Sequence, residues 1–432
     1  MTSTGDAGEF DAVMDALGVG PGRDGWRDGW DESRRSFDPG RLGFLRPAFV
    51  RRLCGELGIP GDVREAVVAS LAAFEQRPAL KRLAWHCHRR LFVSPPPDAG
   101  EPPKIELPRP SAPDELPPWG EMFHAVVLLS GGRFLQKLHA SRGIGAEVTR
   151  DTAGDLTLWM RHYRRRTGRW GLDQARWLVS HFTGRIFRLG RLQFRFEAFE
   201  RDVRAYRNRE DGRVVLLAPG GARFRADGQF DGTGGVRDEA GAWTSVLAAD
   251  AGRVRGCAIS PDGRAQREPI ELPADRWRLV LRRGDAVLGV HIPAGEPMTH
   301  AACGESFGRA AAFFARHFPE VAYRAFHCGS WFLDNQFARL LPASSNIRRF
   351  QEEVYLYPLP GAGDEQTFER VFGRRFDDLG DAPRDTALRR AIVAHLRGGG
   401  HFHAGGMLLF PEDLNWGRKV YRRMRGLESD DG

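Results

Sequence analysis

Hydrophobic residues change their spacing along this chain near residue 182. Before that point they recur every three or four positions, as on one face of a helix, in "PAFVRRLCGELGI", "DVREAVVASLAAFEQ" and "LDQARWLVSHF". Directly afterwards, in "IFRLGRLQFRFEAF", Leu192, Phe194 and Phe196 alternate with polar residues, which is typical of a half-buried strand. We therefore predict a helical domain followed by a domain built on a β-sheet.

This pattern divides the chain into segments. Residues 41–181 form the helical domain, and the run of prolines at 94–118 makes an extended linker within it. Residues 182–420 form the sheet-containing domain. Residues 1–40, rich in Gly, Asp and Arg, are a flexible or partly helical N-terminal segment, and residues 421–432 are a tail.

The second domain mixes strands with helices. "RWRLVLRRGDAVLGVHIP" predicts two strands joined by a tight turn at 283–285, and after a loop Phe307, Phe314 and Phe318 share one stripe of a helix. "VAYRAFHC", "NIRRFQEEVYLYPLP" and "HFHAGGMLLF" each contain a further strand. Strand-like pieces continue through "GRVVLLA" and the glycine-rich stretch 218–275, where the weak periodicity does not define individual strands. The predicted fold class is α+β, with helices flanking a mixed sheet.

Composition places the chain among globular proteins, since 41% of its 432 residues are hydrophobic and 28% are charged. It contains no apolar run of the roughly 20 residues that a membrane helix needs. The first residues are acidic and lack the apolar stretch of a secretory signal, so we expect a cytoplasmic protein that does not bind membranes. The five cysteines include no C-x-x-C pair, which argues against a disulfide framework.

The chain is basic, with a net charge of +8 and a pI near 9.6. Such a charge fits an anionic partner, either a nucleic acid or a phosphate-bearing small molecule. However, 60 of the 64 basic residues are arginine, a bias that high-GC codon usage also produces. "RHYRRRTGRW" mixes arginine with aromatic residues, but it ends a predicted helix, where arginine also favours the helix dipole. We therefore expect no nucleic-acid partner.

Two histidine pairs, in "HCH" at 86–88 and "HFH" at 401–403, have a spacing that metal sites use. Two ligands do not make a site, and zinc sites in proteins take three or four protein ligands. We predict no metal site.

The order strand, loop, helix, strand, helix, strand between residues 286 and 357 suits a phosphate-bearing ligand. Free backbone N–H groups and the helix dipole at the start of the helix both favour a pyrophosphate, and separation of the two strands would leave a slot for a pantetheine arm. An acyl-CoA has both of these parts. Many α/β and α+β proteins share this order of elements, so the pattern alone does not decide the ligand.

The stretches "RWRLVLRRGDAVLGVHIPAGEPMTHAACGESFGRAAAFF", "HCGSWFLDNQFARLLPASSNIRRFQ" and "FRLGRLQFRF" resemble bacterial acyltransferase-domain proteins. These proteins join an all-helical N-acyltransferase N-terminal domain to a GNAT-like C-terminal domain. The resemblance implies a GNAT-like mixed sheet flanked by helices, an N-acyltransferase activity, acetyl-CoA or another acyl-CoA as co-substrate, and an amine of unknown identity as acceptor.

The resemblance also suggests which residues carry the chemistry. His291 is the candidate base, with Glu296 as the carboxylate alternative. Because "NQFARLL" lacks the tyrosine usual in this superfamily, the candidates for the acid are Ser330, Tyr355 and Cys328, although a cysteine at a strand end is most often a small buried hydrophobic residue. Each has a structural alternative, such as a core histidine or a solvated loop charge. The candidate contacts to the acyl-CoA are Ile292, Ala294, Gly295, Thr299, Ser306 and Asn335.

The turn "IPAGEPMTHAACGES" departs from the Q/R-x-x-G-x-G/A phosphate loop that this superfamily usually shows. Gly295 permits close approach of a ligand to the backbone, and Thr299 is placed to cap the helix. Two alternatives to an enzyme stay open: a catalytically inactive GNAT-like module that binds CoA or a nucleotide, and a basic nucleic-acid-binding protein.

Overall fold

The computed structural model describes residues 6–20, 22–93, 107–110, 119–376 and 378–423. Most of the predicted linker and most of the predicted tail lie outside the described residues. The chain divides into two compact units. The first comprises Met1–Leu189, Gln193–Arg195 and Ile292–Gly295, and the second Gly190–Leu192, Phe196–His291 and Glu296–Gly432.

The first unit is built from helices where it is described. They are α1 (Asp6–Ala16), α2 (Trp30–Arg35), α3 (Pro47–Glu56), α4 (Gly61–Gln76), α5 (Pro78–His88), α6 (Trp119–Ser130), α7 (Gly132–Ser141), α8 (Ala146–Ala153), α9 (Asp155–Thr167) and α10 (Ala175–Phe182). Pro47 and Pro78 begin α3 and α5, where the missing N–H has no helical partner to lose. Gly168 ends α9 in the left-handed conformation, with φ of 75°.

Apolar side chains from these helices form one continuous core. Phe74 of α4 and Phe123 of α6 stack with ring centroids 6.1 Å apart, and Leu83 of α5 is fully buried beside them in the same cluster. The predicted helical pattern is therefore confirmed in this unit. None of the helices in the described part of the chain is long and apolar enough to cross a membrane.

The second half of the chain contains both strands and helices. The strands of the described chain are β1 (Phe187–Leu189), β2 (Leu192–Ala198), β3 (Arg204–Asn208), β4 (Val214–Leu217), β5 (Arg223–Phe224), β6 (Trp243–Thr244), β7 (Leu247–Ala249), β8 (Arg253–Ser260), β9 (Arg264–Pro273), β10 (Trp277–Leu281), β11 (Ala286–His291), β12 (Phe326–Ser330), β13 (Tyr355–Ala362) and β14 (His403–Leu409). The helices are α11 (His300–His317), α12 (Phe337–Leu340), α13 (Asn346–Gln351), α14 (Asp364–Thr367), α15 (Ala387–Arg397) and α16 (Val420–Arg423).

A mixed six-stranded sheet has the order β1-β2-β11-β12-β14-β13. β11 and β12 are parallel and are connected through α11, whereas β14 runs antiparallel to both of its neighbours. The helix α11 packs through Phe307 against Phe326 of β12, with ring centroids 5.1 Å apart. The predicted α+β class with helices flanking a mixed sheet is confirmed.

A second sheet, in the order β10-β3-β4-β8-β7 with β9 paired to β8, was not predicted. Its strands come largely from the glycine-rich stretch 218–275, where sequence periodicity is weak. The two strands predicted around 283–285 exist as β10 and β11, but they enter different sheets. Instead of closing a hairpin, the turn bonds Phe199, which donates to the carbonyl of Asp285 and accepts from Gly284.

Residues near the C-terminus hold the first turn of α11. Trp416 Nε1 donates to the carbonyl oxygen of His300 at 2.8 Å, and a Cβ on Gly304 would lie 2.3 Å from the indole. The imidazole of His300 also shares a 2.8 Å hydrogen bond with the buried carboxylate of Glu353, which accepts the backbone N–H of Gly417 at 2.9 Å. The first turn of α11 is therefore held in place by Trp416 and Glu353, which lie outside the helix.

Candidate active site

The parallel strands β11 and β12 separate before they end. Their register pairs Leu288 with Phe326 and Gly289 with His327, and no later residues are paired. His291 and Ser330 are the last residues of the two strands, and both are half-buried. A slot therefore opens between the two strand ends, at the sheet edge where the loop to α11 begins.

Three polar side chains form a line across the sheet beside this slot. The Nε2 atom of His327 lies 2.7 Å from Tyr357 Oη, and its Nδ1 atom lies 3.4 Å from Glu197 Oε1. The side chain of Glu197 is 21% exposed and that of His327 8%. Tyr357 is buried. Glu197 is thus the open end of the line and Tyr357 its buried end.

Glycines on the same sheet face make room for this line. A Cβ on Gly289, which pairs with His327, would lie 2.4 Å from the carboxyl carbon of Glu197. A Cβ on Gly406, which pairs with Tyr357, would lie 2.1 Å from the phenol ring. Glu197 and Tyr357 therefore occupy the space that side chains at positions 289 and 406 would otherwise fill.

Burial keeps Tyr357, at the buried end of the line, in its protonated form. The pKa of Tyr357 is raised, chiefly by burial, although the neighbouring Arg201 opposes the shift. Tyr357 is therefore a phenol that donates to His327 Nε2. A neutral imidazole that accepts at Nε2 carries its proton on Nδ1, toward the carboxylate of Glu197.

Arg201 lies at the mouth of the slot. Its Nη2 atom is 3.7 Å from the position of a Cβ on Gly329, the residue of β12 just before Ser330. Its guanidinium brings a positive charge close to Tyr357.

The loop between β11 and α11 contains most of the predicted acyl-CoA contacts. Ile292 is half-buried, whereas Ala294 and Gly295 are exposed, and Gly295 has a φ of 121° that favours glycine. Glu296 is exposed, and its carbonyl accepts from Arg191 Nε at 2.7 Å. Thr299 caps α11 as predicted, since its side chain accepts the N–H of Ala302 at 3.3 Å.

The remaining predicted residues make contacts that tie elements of the fold together. The hydroxyl of Ser306 accepts the N–H of Arg191 at 2.8 Å and donates to the carbonyl of Ala302 at 2.8 Å. Asn335 Nδ2 donates to the carbonyls of Asp262 (3.1 Å) and Gly263 (3.2 Å). The roles assigned to these residues stay predictions.

Tyr355, the predicted acid, lies two residues before Tyr357 on β13. Its hydroxyl donates to the carbonyl of Ile259 and accepts the N–H of Leu216 at 3.4 Å, so it joins the two sheets. Cys328 follows His327 on β12. Burial and the nearby carboxylate of Glu197 raise the pKa of the Cys328 thiol to about 12, which leaves it protonated and a poor nucleophile.

The histidine pairs bind separate partners. His401 is bonded to Asp364 at 3.0 Å, whereas the buried His403 is bonded to Asp334 at 3.1 Å. In "HCH", His86 contacts Ser33 at 2.9 Å and His88 contacts Ser130 at 2.8 Å. No group of three or more metal-binding side chains occurs among the described residues.

The arginines of "RHYRRRTGRW" are mostly engaged with acidic or aromatic residues. Arg161 pairs with Asp62 at 2.9 Å, Arg166 pairs with Asp173, and Arg169 pairs with Glu121 at 3.1 Å; Arg164 lies over the ring of Trp170. These contacts account for the stretch within the first unit.

Sequence reasoning did not identify Glu197, His327 or Tyr357 as site residues. Glu197 is one of many polar residues in an alternating strand, and His327 sits in a strand of mainly apolar residues. Tyr355 and Tyr357 lie two residues apart and therefore on the same face of their strand, so the sequence could not tell which of the two reaches the site. Only the register of five strands brings the three together.

A second buried polar cluster lies in the first unit and was also missed. His181 Nε2 is 3.2 Å from Asp155 Oδ2, Gln193 Nε2 donates to Asp155 Oδ1 at 2.8 Å, and Trp177 Nε1 donates to Asp155 Oδ2 at 3.1 Å. Burial raises the pKa of Asp155, but its hydrogen bonds and the charge of His181 outweigh that effect and the pKa is lowered. The cluster joins α9, α10 and β2.

Comparison with known protein families shows which family this chain belongs to. Residues 186–408, more than half of the chain, match the GNAT-like C-terminal domain, and residues 48–184 match the N-acyltransferase N-terminal domain. The chain belongs to the family with the GNAT-like C-terminal domain. Its recognition from sequence as a member of a two-domain N-acyltransferase family is confirmed.

Solved structures extend the comparison over almost the whole chain. An acyltransferase mutant in complex with octanoyl-CoA is 25% identical, covers 93% of this chain and 99% of its own, and has a TM-score of 0.62. An acyltransferase in complex with decanoyl-CoA and teicoplanin gives the same identity, coverage and TM-score. A search of the curated proteins finds no match.

Proposed function

We propose that this protein transfers a medium-chain acyl group from an acyl-CoA to an amino group of its acceptor, with Glu197 as the base. One observation carries the proposal: the line Glu197–His327–Tyr357 crosses the sheet where β11 and β12 separate. The family supports acyl transfer, and the slot between the strands suits the extended pantetheine arm.

The donor is a medium-chain rather than an acetyl thioester in this proposal. The similar acyltransferases hold octanoyl-CoA and decanoyl-CoA, and they cover 93% of this chain. The 18-residue helix α11 begins beside the slot, has Thr299 as its cap and carries no acidic residue in its first turn. Its N-terminus therefore favours the pyrophosphate of CoA.

The chemistry requires one proton to move from nitrogen to sulfur. The neutral amine attacks the thioester carbonyl carbon, and the carboxylate of Glu197 accepts a proton from the nitrogen. The tetrahedral intermediate then collapses with cleavage of the carbon–sulfur bond, and the same proton passes to the departing thiolate. His327 holds the carboxylate in place. Arg201 and the backbone N–H groups of the separated strand ends stabilise the oxyanion.

The first experiment is calorimetric titration with decanoyl-CoA, octanoyl-CoA and acetyl-CoA, followed by a thiol-release assay with an amine panel that includes teicoplanin, amino sugars, amino acids and polyamines. We expect tighter binding of the two longer donors than of acetyl-CoA. Glu197→Gln should reduce kcat at least 100-fold with little change in donor affinity, because the amide cannot accept the proton.

Three comparison variants separate this assignment from its alternatives. Glu268→Gln removes an exposed carboxylate on β9 and should leave kcat unchanged. His291→Gln and Glu296→Gln test the bases predicted from sequence. If Glu197→Gln keeps full activity while one of these two loses it, Glu197 is not the base. Tight donor binding without turnover on any amine would instead favour a CoA-binding module.

A further inference from the structure

A groove of about 490 Å³ lies within the second unit and has no part in the chemistry described above. It is lined by the segment 225–238, by residues of α12, by the end of α15 and by the start of β14. Arg225, Arg237 and Arg339 contribute guanidinium groups to its wall, and His395 contributes an imidazole. The groove is therefore rich in groups that bind anions.

Two buried polar atoms in the lining have no hydrogen-bond partner among the described residues. They are Thr233 Oγ1 and His403 Nδ1, and the two residues are only 4% and 5% exposed. Buried polar groups are normally satisfied, so both atoms point to a ligand that completes their hydrogen bonding.

The imidazole of His403 is held in a fixed orientation. Its Nε2 atom lies 3.1 Å from Asp334 Oδ1, and Asp334 Oδ2 accepts the backbone N–H of His403 at 2.9 Å. Asp334 also accepts the N–H of Gln336 at 2.8 Å. With Nε2 donating to the carboxylate, Nδ1 is the ring atom left to meet a ligand.

The two carboxylates that line the groove already have partners within the protein. Asp227 binds the guanidinium of Arg225 at 3.0 Å, and Asp238 accepts the backbone N–H groups of Ala226 (2.9 Å) and Gly241 (2.7 Å). Both carboxylates are thus occupied.

Arg237 and Arg339 form no ion pair with a carboxylate in the described part of the chain. The Nη2 atom of Arg339 donates to the neutral Gln336 Oε1 at 2.7 Å. The charge of Arg237 acts on Asp231, but that carboxylate already binds Arg223 at 2.9 Å. Both guanidinium groups therefore remain for a carboxylate or a phosphate.

The groove lies at the same sheet edge as the slot. β14 is antiparallel to β12, with Ser330 opposite Gly405 and His327 opposite Leu408, so β14 begins where β12 ends. The five residue-to-residue steps from His403 to Leu408 span roughly 17 Å at about 3.3 Å per step. A molecule with one end in the groove and the other beside Glu197 must cover that distance.

We infer that this groove binds an anionic group, a carboxylate or a phosphate, of the acceptor, and that the acceptor is long enough to reach from there to Glu197. The inference rests on the proposed function for the identity of the ligand, whereas the anion site itself does not depend on it. Simple amines are then poor acceptors, and an amine that carries a distant anionic group is a good one.

The site is tested first without any acyl-CoA, by calorimetric titration of the full chain with inorganic phosphate and with succinate. We expect one of the two anions to bind with one site per chain, and the preferred anion identifies the chemical source. The double variant Arg237→Gln/Arg339→Gln should weaken binding at least tenfold. Arg255→Gln, which removes an exposed arginine on β8, should leave it unchanged. No heat with either anion, or equal affinity in the double variant, overturns the inference.

Thr233→Val adds a test that does not alter charge. It removes a buried hydroxyl without a protein partner, so the unliganded variant should melt no lower than the wild type, while the stabilisation given by the bound anion should fall. A variant that melts lower and still gains full stabilisation from the anion would show that Thr233 plays no part in the site.

Kinetics then separate this inference from the proposed function. With an active acceptor, the double variant should raise KM for the anionic acceptor about tenfold, leave kcat unchanged, and leave KM for decanoyl-CoA unchanged. If decanoyl-CoA does not bind, the proposed function fails but the anion titrations still decide the groove. If decanoyl-CoA turns over and KM for the acceptor is unaltered, the inference about the acceptor fails alone.

Discussion

Individual glycines decide how the candidate site is arranged. Gly289 and Gly406 leave the space that Glu197 and Tyr357 occupy, and neither glycine has a positive φ. Their role is therefore to permit close approach of a side chain to the backbone. The two positions differ in what an added methyl group would meet, because one neighbour is the flexible end of a glutamate and the other is a buried ring.

Gly289→Ala should impair catalysis more than stability. The new methyl group would meet the carboxylate of Glu197, which can swing away into the half-exposed space beside it. We expect kcat to fall at least tenfold and the melting temperature to change by no more than about 3 °C. Gly308→Ala on α11, where a Cβ meets nothing within 4 Å, is the matched control and should keep full activity. A fully active Gly289→Ala would remove Glu197 from the mechanism.

Tyr357→Phe should change the pH profile of the enzyme. The phenol donates to His327 Nε2, and its loss lets the imidazole carry its proton on that atom instead of on Nδ1. We expect kcat to fall about tenfold with an unchanged KM for acyl-CoA, together with a displaced limb in the plot of kcat against pH. An unaltered profile at reduced kcat would indicate a purely structural role for Tyr357.

Elements, rather than single residues, create the slot. β11 and β12 are paired at only two positions, and α11 starts from the loop that leaves β11. The sequence predicted the strand, the loop, the capped helix and the next strand. It did not predict the register, because side-chain alternation defines the faces of a strand but not which residue of a distant strand lies opposite.

Thr299→Ala should weaken both the helix and the donor site. The side chain of Thr299 accepts the N–H of Ala302, and loss of such a cap costs about 1 kcal/mol of the free energy of unfolding. We expect that loss in urea denaturation and a several-fold higher KM for acyl-CoA. Thr299→Ser keeps the accepting oxygen and should restore both values. If Thr299→Ala lowers stability but leaves KM unchanged, the start of α11 does not contact the donor.

Because local sequence patterns do not reveal strand register, the sequence could identify only some of the residues at the candidate site. His291, Ser330 and Thr299 stand at element ends that the spacing of apolar residues reveals, and they lie at the slot or the loop that leads from it. Glu197 and His327 lie inside strands 130 positions apart in the chain. Local pattern carries no information about such a pair, and their contact depends on β11 lying between the two strands.

At the scale of the whole molecule, family membership, fold class and acyl transfer from an acyl-CoA were correctly indicated by the sequence, whereas the second sheet was missed. Amphipathic helices show a clear periodicity, whereas β8 and β9 do not, because their residues do not alternate regularly between buried and exposed positions. The acetyl group that sequence suggested gives way to a medium-chain acyl group in our proposal.

Buried histidines should make the helical unit sensitive to acid. Burial, with the charges of Arg82 and Arg90, lowers the pKa of His86 to about 4, against an ordinary value of 6.5. Between these values the unfolded chain binds the proton and the folded chain does not. The stability is therefore complete above about pH 6.5 and is lost as the pH falls toward 4, by up to about 3 kcal/mol for this residue.

Urea denaturation at pH 7.5, 6 and 5 measures this dependence. We expect the free energy of unfolding to fall with pH, and His86→Asn should reduce the slope. His88 and His139, whose pKa values are also lowered to about 4 by burial, contribute in the same direction, as does His124, whose pKa is lowered by burial. His162→Gln changes an exposed histidine and should leave the slope as it is. A His86→Asn variant with the wild-type slope would contradict the assignment.

The contact of Trp416 with the first turn of α11 links the C-terminal part of the described chain to the proposed donor site. Trp416 holds the carbonyl of His300, and Glu353 holds both the imidazole of His300 and the backbone of Gly417. Proteolytic removal of the residues from Leu414 onward would therefore first accelerate amide hydrogen exchange at the start of α11. We expect a protein shortened in this way to bind acyl-CoA more weakly than the full chain.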